Sequence, residues 1–222
     1  MIVQSLETLA LIGGVDPGPK ALDMALQGSE TVVAADGGAD WALSHDVMPD
    51  AVIGDLDSIS DAARARIPAD RLHFIDDQDT TDFDKCLSQI RAPLIIGVGF
   101  TGQRQDHQLA CYNSLVRFAH QRCILLSDDE LVFLAPPSCR IALEAGTRVS
   151  LFPFGAVEGV SDGLEWNIAG LNFAPDGRVG TSNRATGPVH LSLTSPKMLV
   201  VLPAATLALV TQAFAATAAR WD

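Results

Sequence analysis

The stretch TVVAADGGADWALSHDVMPDAVIGDLDS, residues 31–58, joins two apolar runs through a segment with helical spacing. TVVAA (31–35) and AVIG (51–54) are short, apolar and bounded by Gly, Pro and Asp, which is typical of buried strands. Residues 38–45 between them are predicted to form a helix. Parallel strands need a long crossover connection, usually a helix, so a strand, a helix and a strand in this order indicate a parallel pair. The stretch therefore predicts an α/β fold.

The same alternation continues on both sides of this stretch. Further buried strands are predicted at TLALIGG, LHFI, LIIGVGF and CILLS, and further helices over 18–27, 60–67, 81–91 and 105–120. After residue 136 the pattern changes to β-like runs, namely RIALE, TRVSLFPF, PVHLSLT and MLVVLP, followed by a helix over 204–219. We therefore expect a Rossmann-like parallel-sheet domain, residues 1–136, and a smaller antiparallel β-sandwich domain with a C-terminal helix, residues 137–222.

Composition narrows the class of protein. The 222 residues contain 15 Lys and Arg against 27 Asp and Glu, a net charge of −12. Such a surface repels nucleic acid and anionic membranes, so we expect neither as a partner. The four cysteines form no C-x-x-C pair and predict no zinc site. The N-terminus lacks a basic signal-peptide region, and polar residues in the uncharged stretch 199–219 predict a docked helix rather than a membrane span. The expected compartment is the cytoplasm.

Acidic residues follow three successive predicted strands. Asp36 follows TVVAA, Asp55 and Asp57 follow AVIG, and DDQDTTDFD (76–84) follows LHFI. The carboxyl ends of parallel strands lie at one edge of a sheet, so these side chains are expected to converge. Two carboxylates about 4 Å apart repel by roughly 4 kcal/mol at an effective dielectric constant near 20. A divalent cation would relieve this repulsion, and oxygen ligands without His or Cys suit magnesium.

Each acidic segment also has a simpler explanation when it is taken alone. D-G-G and D-x-D-S are common turns, and Thr81 followed by Asp84 resembles a capping box. Within DDQDTTDFD we assign solvent or capping roles to Asp76, Asp77 and Asp84, and we keep Asp79 and Asp82 as site candidates. The combination of three loops at one edge favours the metal site over these separate explanations.

The loop after LIIGVGF has a different character. TGQRQDHQLACYNSL is a Gly-containing turn that opens a predicted helix, and backbone N–H groups at such a position attract phosphate. Arg104 adds a fixed positive charge. The segment lacks the G-K-[ST] of the Walker motif. A turn of this kind is also common as a structural feature, but beside a magnesium cluster it predicts the other half of a nucleotide site. Two roles stay open for His107, namely contact with phosphate, or capping and packing.

These motifs together resemble a known family. ADGGAD (35–40), PDAVIGDLDS (49–58), DQDTTDFDKC (77–86) and TGQRQDH (101–107), in this order and spacing, resemble thiamine pyrophosphokinases. DGLEWN (162–167) and TSN (181–183) look like that family's thiamine-binding segments, and the resemblance covers about residues 8 to 202. The family moves the pyrophosphoryl group of ATP onto the hydroxyl of thiamine and releases AMP. The resemblance implies a Mg²⁺-dependent homodimer with thiamine held at the domain and subunit junction.

The resemblance also implies roles for individual residues. The implied metal ligands are Asp55, Asp57 and Asp82, and the residues implied in catalysis are Asp57, Asp82 and Arg104. The implied ATP-binding residues are Asp36, Gly37, Asp79, Thr81, Thr101, Gly102, Arg104, Asp106 and His107. The implied thiamine-binding residues are Gln78, Trp166, Ser182 and Asn183. Thiamine carries a fixed cation, which an aromatic face such as that of Trp166 attracts.

Several alternatives stay open from the sequence. Taken without the resemblance, Trp166 fits a core tryptophan better than a binding residue, and Ser182 with Asn183 fits an ordinary turn. Gln103 stands where the family commonly has a second glycine, which puts the details of the phosphate loop in doubt. An Asp at the metal is expected to accept the hydroxyl proton, but the sequence does not identify which one. Two other functions remain, namely transfer to a different small alcohol and a non-catalytic thiamine or nucleotide sensor.

Overall fold

The computed structural model describes residues 1–102 and 104–221, which adopt a mixed α/β fold. The departure at Gln103 lies outside the described residues. Two compact units are present: Met1–Ser114 with Cys123–Asp128, and Leu115–Arg122 with the described residues from Asp129 onward. Across the described residues, no helix combines the length and the apolar character that a bilayer crossing needs.

The first unit contains a parallel sheet. Its strands are β1 (Val3–Gln4), β2 (Leu9–Ile12), β3 (Thr31–Ala35), β4 (Ala51–Gly54), β5 (Leu72–Phe74), β6 (Ile90–Arg91), β7 (Ile95–Val98) and β8 (Cys123–Leu126). Six of them pair in parallel in the order β8-β7-β2-β3-β4-β5, while β1 pairs with β6 separately. The strands predicted in this half are therefore confirmed. The chain runs from β2 to β5 in one direction and then returns to β7 on the other side of β2, so loops diverge between β2 and β7.

The helices of the first half are α1 (Pro19–Gln27), α2 (Gly38–Ser44), α3 (Asp61–Arg66), α4 (Asp82–Gln89) and α5 (Gln105–Arg117). All five are confirmed, although α4 ends at Gln89 because Ile90 and Arg91 form β6, and α5 ends before the predicted residue 120. The ends follow local chemistry. The side chain of Ser60 accepts the N–H of Ala63 at the start of α3. At the start of α1, Asp128 Oδ1 accepts the N–H of Ala21 at 2.8 Å.

The second unit is mostly antiparallel sheet. Its strands are β9 (Glu130–Leu134), β10 (Ser138–Ile141), β11 (Arg148–Pro153), β12 (Gly159–Leu164), β13 (Gly180–Leu193) and β14 (Met198–Pro203), and they precede helix α6 (Leu207–Ala216). The pairing order is β10-β13-β11-β14-β9, and β12 also pairs with β13. The predicted β-like runs and the final helix are confirmed. Two strands, β9 and β12, have no counterpart among the predicted runs. β12 reads GVSDGL, whose Gly and Asp residues disfavour strands when taken alone.

All four cysteines are free and buried. Burial raises the pKa of the Cys111 thiol to about 12 and that of Cys139 to about 11. It also raises the pKa values of the Cys86 and Cys123 thiols above their usual range. These thiols are therefore protonated and pack as small apolar groups at neutral pH.

Candidate active site

A cavity of about 610 Å³ opens in the first unit. It is lined from the carboxyl ends of four strands by Gly14 and Val15 after β2, Ala35, Asp36 and Gly37 after β3, Asp55 and Ser58 after β4, and Gly99 and Phe100 after β7. Cys111 in the middle of α5 and side chains near the starts of helices complete the wall, the latter being Asp40, Ser60, Thr80, Thr81, Asp82, Phe83, Lys85, Arg104 and His107. The cavity thus lies where the loops diverge beside β2, the usual ligand position in a parallel α/β sheet.

Two glycines bring the loops after β2 and β7 into contact. A Cβ atom on Gly13 would lie 2.4 Å from the carbonyl oxygen of Gly99, so no larger residue fits without a shift. The N–H of Val15 donates to the same carbonyl at 3.0 Å. Gly13 and Gly14, which follow β2, are absent from the predicted site residues, although a glycine pair directly after a buried strand is a detectable signal.

Three acidic side chains converge beside the cavity, as predicted. Asp36, Asp55 and Asp57 each offer a carboxylate oxygen, and these three atoms lie within 4.8 Å of one another. Gly54 at the end of β4 permits this approach. A Cβ atom there would lie 2.9 Å from Cβ of Asp36 and 3.2 Å from Oδ1 of Asp82. The convergence follows from strand order, because β3 and β4 are adjacent and parallel.

Leu56 anchors the loop that carries Asp55 and Asp57 by packing into the hydrophobic core. This side chain is buried in a cluster with Val52 and Ile59. Its φ of 58° is uncommon for a residue with a branched side chain, and the buried contacts stabilise that conformation. The anchored turn leaves Asp57 exposed and Asp55 partly buried.

Asp36 is the most confined of the acids. It is 1% exposed, and no donor among the described residues reaches its Oδ1. Among the described donors, the N–H of Ser58 alone reaches its Oδ2, at 3.4 Å. Burial, the adjoining carboxyl group of Asp55 and the negative charge of Asp82 together raise the pKa of Asp36 to about 6. A buried acid oxygen without a donor is the kind of group that a cation would satisfy.

A lysine absent from the predicted site residues joins the acidic loops. Lys85 Nζ donates to Asp55 Oδ2 at 2.7 Å and to Asp82 Oδ1 at 3.0 Å, and Lys85 is 4% exposed. Burial opposes the charged form, but the hydrogen bonds to both carboxylates raise the pKa of Lys85 above its usual value. The same hydrogen bond lowers the pKa of Asp55. Part of the acidic crowding is therefore balanced by the protein itself.

The acidic run before α4 divides between capping and the cavity. The Thr81 side chain accepts the N–H of Asp84 at 3.1 Å, and the N–H of Thr81 donates to Asp84 at 3.3 Å, so the predicted capping box is confirmed. Asp84 is buried, however, so a solvent role for it is wrong. Asp77 closes a turn by accepting from the N–H of Asp79 and from the hydroxyl of Thr80.

The remaining predicted residues fall into two groups. The cavity wall contains Asp36, Gly37, Asp55, Thr81, Asp82, Arg104 and His107. Outside the wall lie Asp57, which joins the acidic cluster, and Gln78, Asp79, Thr101, Gly102 and Asp106. Their roles stay predictions.

The loop before α5 presents Arg104 in an ion pair. Its Nη2 lies 2.6 Å from Asp106 Oδ2 and its Nε lies 3.2 Å from Oδ1, and both side chains are exposed. The arginine lowers the pKa of the Asp106 carboxyl. The N–H of Gly102 donates to the Gln108 side chain at 3.2 Å, with φ at 126°. A two-bonded fork of this geometry matches phosphate as well as carboxylate.

In the second unit, Trp166 is held by its backbone. Its N–H donates to Asn183 Oδ1 at 3.2 Å, and its carbonyl accepts from Asn183 Nδ2 at 2.9 Å. The Trp166 side chain is 55% exposed, so the alternative of a core tryptophan is wrong. Ser182 and Asn183 belong to β13 rather than to a turn, although Ser182 has φ of 63°.

Comparison with known proteins identifies the family. Residues 22–126 match the model for the thiamin pyrophosphokinase catalytic domain, and residues 138–198 match that for the thiamin pyrophosphokinase vitamin B1 binding domain. Both models describe domains of one protein class, the thiamin pyrophosphokinases. The chain belongs to the thiamin pyrophosphokinase family.

Individual relatives agree with this assignment. The chain is 35% identical over 154 residues to thiamine pyrophosphokinase 1 of Oryza sativa subsp. japonica, covering 61% of the chain and 58% of that relative. It is 32% identical over 162 residues to thiamine pyrophosphokinase 2 of Arabidopsis thaliana, covering 64% and 61%. The matched region thus spans about three fifths of these relatives' length.

Solved structures show the same fold. Thiamin pyrophosphokinase from Candida albicans has a TM-score of 0.75 at 16% identity, covering 90% of this chain and 92% of that one. Thiamine pyrophosphokinase from Bacillus subtilis has a TM-score of 0.71 at 23% identity, covering 89% and 98%. At these identities the likeness concerns the fold alone.

Proposed function

We propose that the protein is a thiamine diphosphokinase, which transfers a pyrophosphoryl group from ATP to the hydroxyl of thiamine and releases AMP. The observation that carries this proposal is the convergence of Asp36, Asp55 and Asp57 beside a cavity whose wall also contains Asp82 and Arg104. Acids and a positive fork in one cleft suit a metal–nucleotide complex. The two family models add the class of acceptor.

The acidic residues fit Mg²⁺. All the donors are hard carboxylate oxygens, and Asp36 has a buried oxygen that no described donor satisfies. We propose Asp55, Asp57 and Asp82 as ligands, with Asp36 beside them and Asp79 in the adjoining loop. When bound, Mg²⁺ would neutralise phosphate charge and polarise the reacting phosphoryl group.

Residues of the chain itself would position the substrates and balance the charge that develops during transfer. In the proposed step, the thiamine oxygen forms a bond to the β-phosphorus while the bond from that phosphorus to the α-phosphate oxygen breaks, and AMP leaves. Arg104, in place of its contact with Asp106, would bind phosphate and offset charge as it develops. The hydroxyl proton would pass to a carboxylate proposed as a metal ligand, Asp57 or Asp82. Thr81, Gly37, Thr101, Gly102 and His107 would complete the ATP site.

Further proposals concern organisation. We propose a Rossmann-like ATP domain over residues 1–136 and a β-sandwich thiamine domain over residues 137–222. The support is the parallel sheet of the first unit, the antiparallel strands of the second and the ranges of the two family models. Trp166, Ser182 and Asn183 would contact thiamine, together with Gln78. Homodimer formation and a cytoplasmic location rest on the resemblance and the composition.

The product test separates the candidate functions. Purified protein given ATP, Mg²⁺ and thiamine is expected to form AMP and thiamine diphosphate in equal amounts, as resolved by anion-exchange chromatography. ADP as the sole nucleotide product would refute the reaction type. A panel of other small alcohols tests the alternative acceptor. Ligand binding without turnover would indicate a sensor, a function that the intact acidic cluster does not favour.

Replacement of Trp166 by alanine is expected to weaken thiamine binding about tenfold, because a cation over an aromatic face contributes about 0.5–2 kcal/mol. The affinity for an ATP analogue and the melting temperature should stay near wild type, since the side chain is 55% exposed. Calorimetric titration with each ligand measures both affinities. Trp166→Phe keeps an aromatic face and should retain most of the thiamine affinity. Equal losses for both ligands would contradict the assigned role.

A further inference from the structure

Lys85 contacts the proposed metal ligands in an unusual way. It is one of three lysines in the chain, with Lys20 and Lys197. It is 4% exposed and lies beside the acidic cluster. Its ammonium group bonds to one oxygen of Asp55 at 2.7 Å and to one oxygen of Asp82 at 3.0 Å. These carboxylates come from different elements, the loop after β4 and the first turn of α4. A buried ammonium is costly without such partners, so the contacts fix both it and the carboxylates.

The contacts with Lys85 limit how many oxygens each carboxylate can offer to a metal ion. Asp55 Oδ2 and Asp82 Oδ1 are engaged by Lys85. Asp55 Oδ1 accepts only a long hydrogen bond among the described residues, from the N–H of Asp57 at 3.4 Å, so Asp55 Oδ1 and Asp82 Oδ2 are the oxygens left to bind a metal ion. Mg²⁺ is small, needs near-octahedral geometry and keeps several waters, so single carboxylate oxygens suffice. Ca²⁺ takes more oxygens at longer distances and often binds both oxygens of one carboxylate.

We propose that Lys85 is a positioning residue that, by holding one oxygen of Asp55 and one of Asp82, leaves each carboxylate a single oxygen for metal and so makes the site select Mg²⁺ over Ca²⁺. The inference rests on the proposed function, because it presumes that the acidic cluster holds a metal ion.

The Mg²⁺ to Ca²⁺ affinity ratio separates geometry from charge. Removing the ammonium group increases the attraction for both ions, which carry the same charge, so charge alone changes both affinities together. Freeing the second carboxylate oxygens helps Ca²⁺ more than Mg²⁺. A change in the ratio therefore reports the freedom of the carboxylates, and a merely structural role would leave it unchanged.

The experiment uses the full chain without nucleotide and Mn²⁺ as the probe. The electron paramagnetic resonance signal of free Mn²⁺ falls as the ion binds, and titration with MgCl₂ or CaCl₂ restores it. We expect wild type to prefer Mg²⁺ and Lys85→Met to lower the Mg²⁺ to Ca²⁺ affinity ratio at least about tenfold. Lys20→Met removes an equal charge from an exposed position on α1 and should change neither affinity.

A second pair of variants tests the same inference if Lys85→Met does not fold. Asp82→Asn alone leaves Lys85 holding Asp55, whereas Asp82→Asn with Lys85→Met frees Asp55 without leaving excess negative charge. The Mg²⁺ to Ca²⁺ affinity ratio should be lower in the double variant than in Asp82→Asn alone. An unchanged ratio in a wild-type background that binds Mg²⁺ selectively would overturn the inference and leave the proposed function standing. A wild type that binds neither ion, or that prefers Ca²⁺, would overturn the inference together with the Mg²⁺ assignment.

Discussion

Asp57→Asn is expected to reduce turnover by about 10³-fold or more, equivalent to roughly 4 kcal/mol of transition-state stabilisation. Asp57 is exposed, and its side chain accepts a hydrogen bond only locally, from Ser58 Oγ at 2.8 Å. The isosteric amide should leave the fold intact, so the melting temperature should stay within about 2 °C of wild type. Steady-state assays of AMP formation and thermal unfolding measure the two effects separately.

Asp76→Asn is the matched control for this prediction. Asp76 is exposed and lies in the acidic run after β5, and its replacement by Asn changes the net charge by the same amount as Asp57→Asn. It should keep near-wild-type turnover, because it lies outside both the cavity wall and the acidic cluster. A melting temperature that collapsed with Asp57→Asn would make Asp57 structural. Equal losses in both variants would point to net charge rather than to a metal ligand.

Asp36→Asn is expected to change activity and stability in opposite directions. Turnover should fall at least about 100-fold, because a carboxylate of the cluster is lost. The metal-free protein should gain about 1–3 kcal/mol in free energy of unfolding at neutral pH, since the wild type must keep a buried, donor-poor carboxylate ionised. Asn is also well suited to the φ of 43° at this position.

The pH dependence gives this prediction its sign. The folded-state pKa of Asp36 is raised from 3.8 to about 6, so the folded protein binds this proton more tightly than the unfolded chain. Wild type therefore loses stability relative to the Asn variant as pH rises through this window, and the difference is constant above it. Urea unfolding in EDTA should show the full gain near about pH 7.5 and a third of it or less near about pH 4.5.

Asp46→Asn is the control for backbone effects. Asp46 also has a left-handed backbone, with φ of 58°, but it is exposed. Its substitution should change neither stability nor turnover. A similar stability gain at both positions would mean that asparagine acts through the backbone. A gain at Asp36 that did not diminish on acidification would contradict the proposed ionisation.

Features that depend on neighbouring residues in the chain, or on the general geometry of parallel sheets, could be predicted from the sequence. The α4 capping box was readable because Thr81 and Asp84 are three residues apart. The convergence of Asp36, Asp55 and Asp57 was readable because strand and helix alternation fixes which strand ends meet. In both cases the relevant partners are set by chain-neighbour chemistry or by a general rule of parallel sheets.

Features that depend on tertiary partners could not be predicted. Lys85 looks like an ordinary helical lysine until Asp55, which is 30 residues away, is seen against it. Taken without the resemblance, Trp166 was expected in the core, but it is exposed, because burial is decided by which residues pack against a side chain. Strand β12 was missed because its pairing with β13, rather than the preference of its own residues, stabilises it.

The burial of every native thiol has a practical consequence. Maleimide or methanethiosulfonate reagents attack the thiolate of an accessible cysteine, and Cys86, Cys111, Cys123 and Cys139 are both covered and protonated. A single cysteine engineered at an exposed position, such as Ala62 on α3, would therefore accept a fluorophore or a spin label selectively. The signal of such a probe could then be followed during substrate binding without first replacing the natural cysteines.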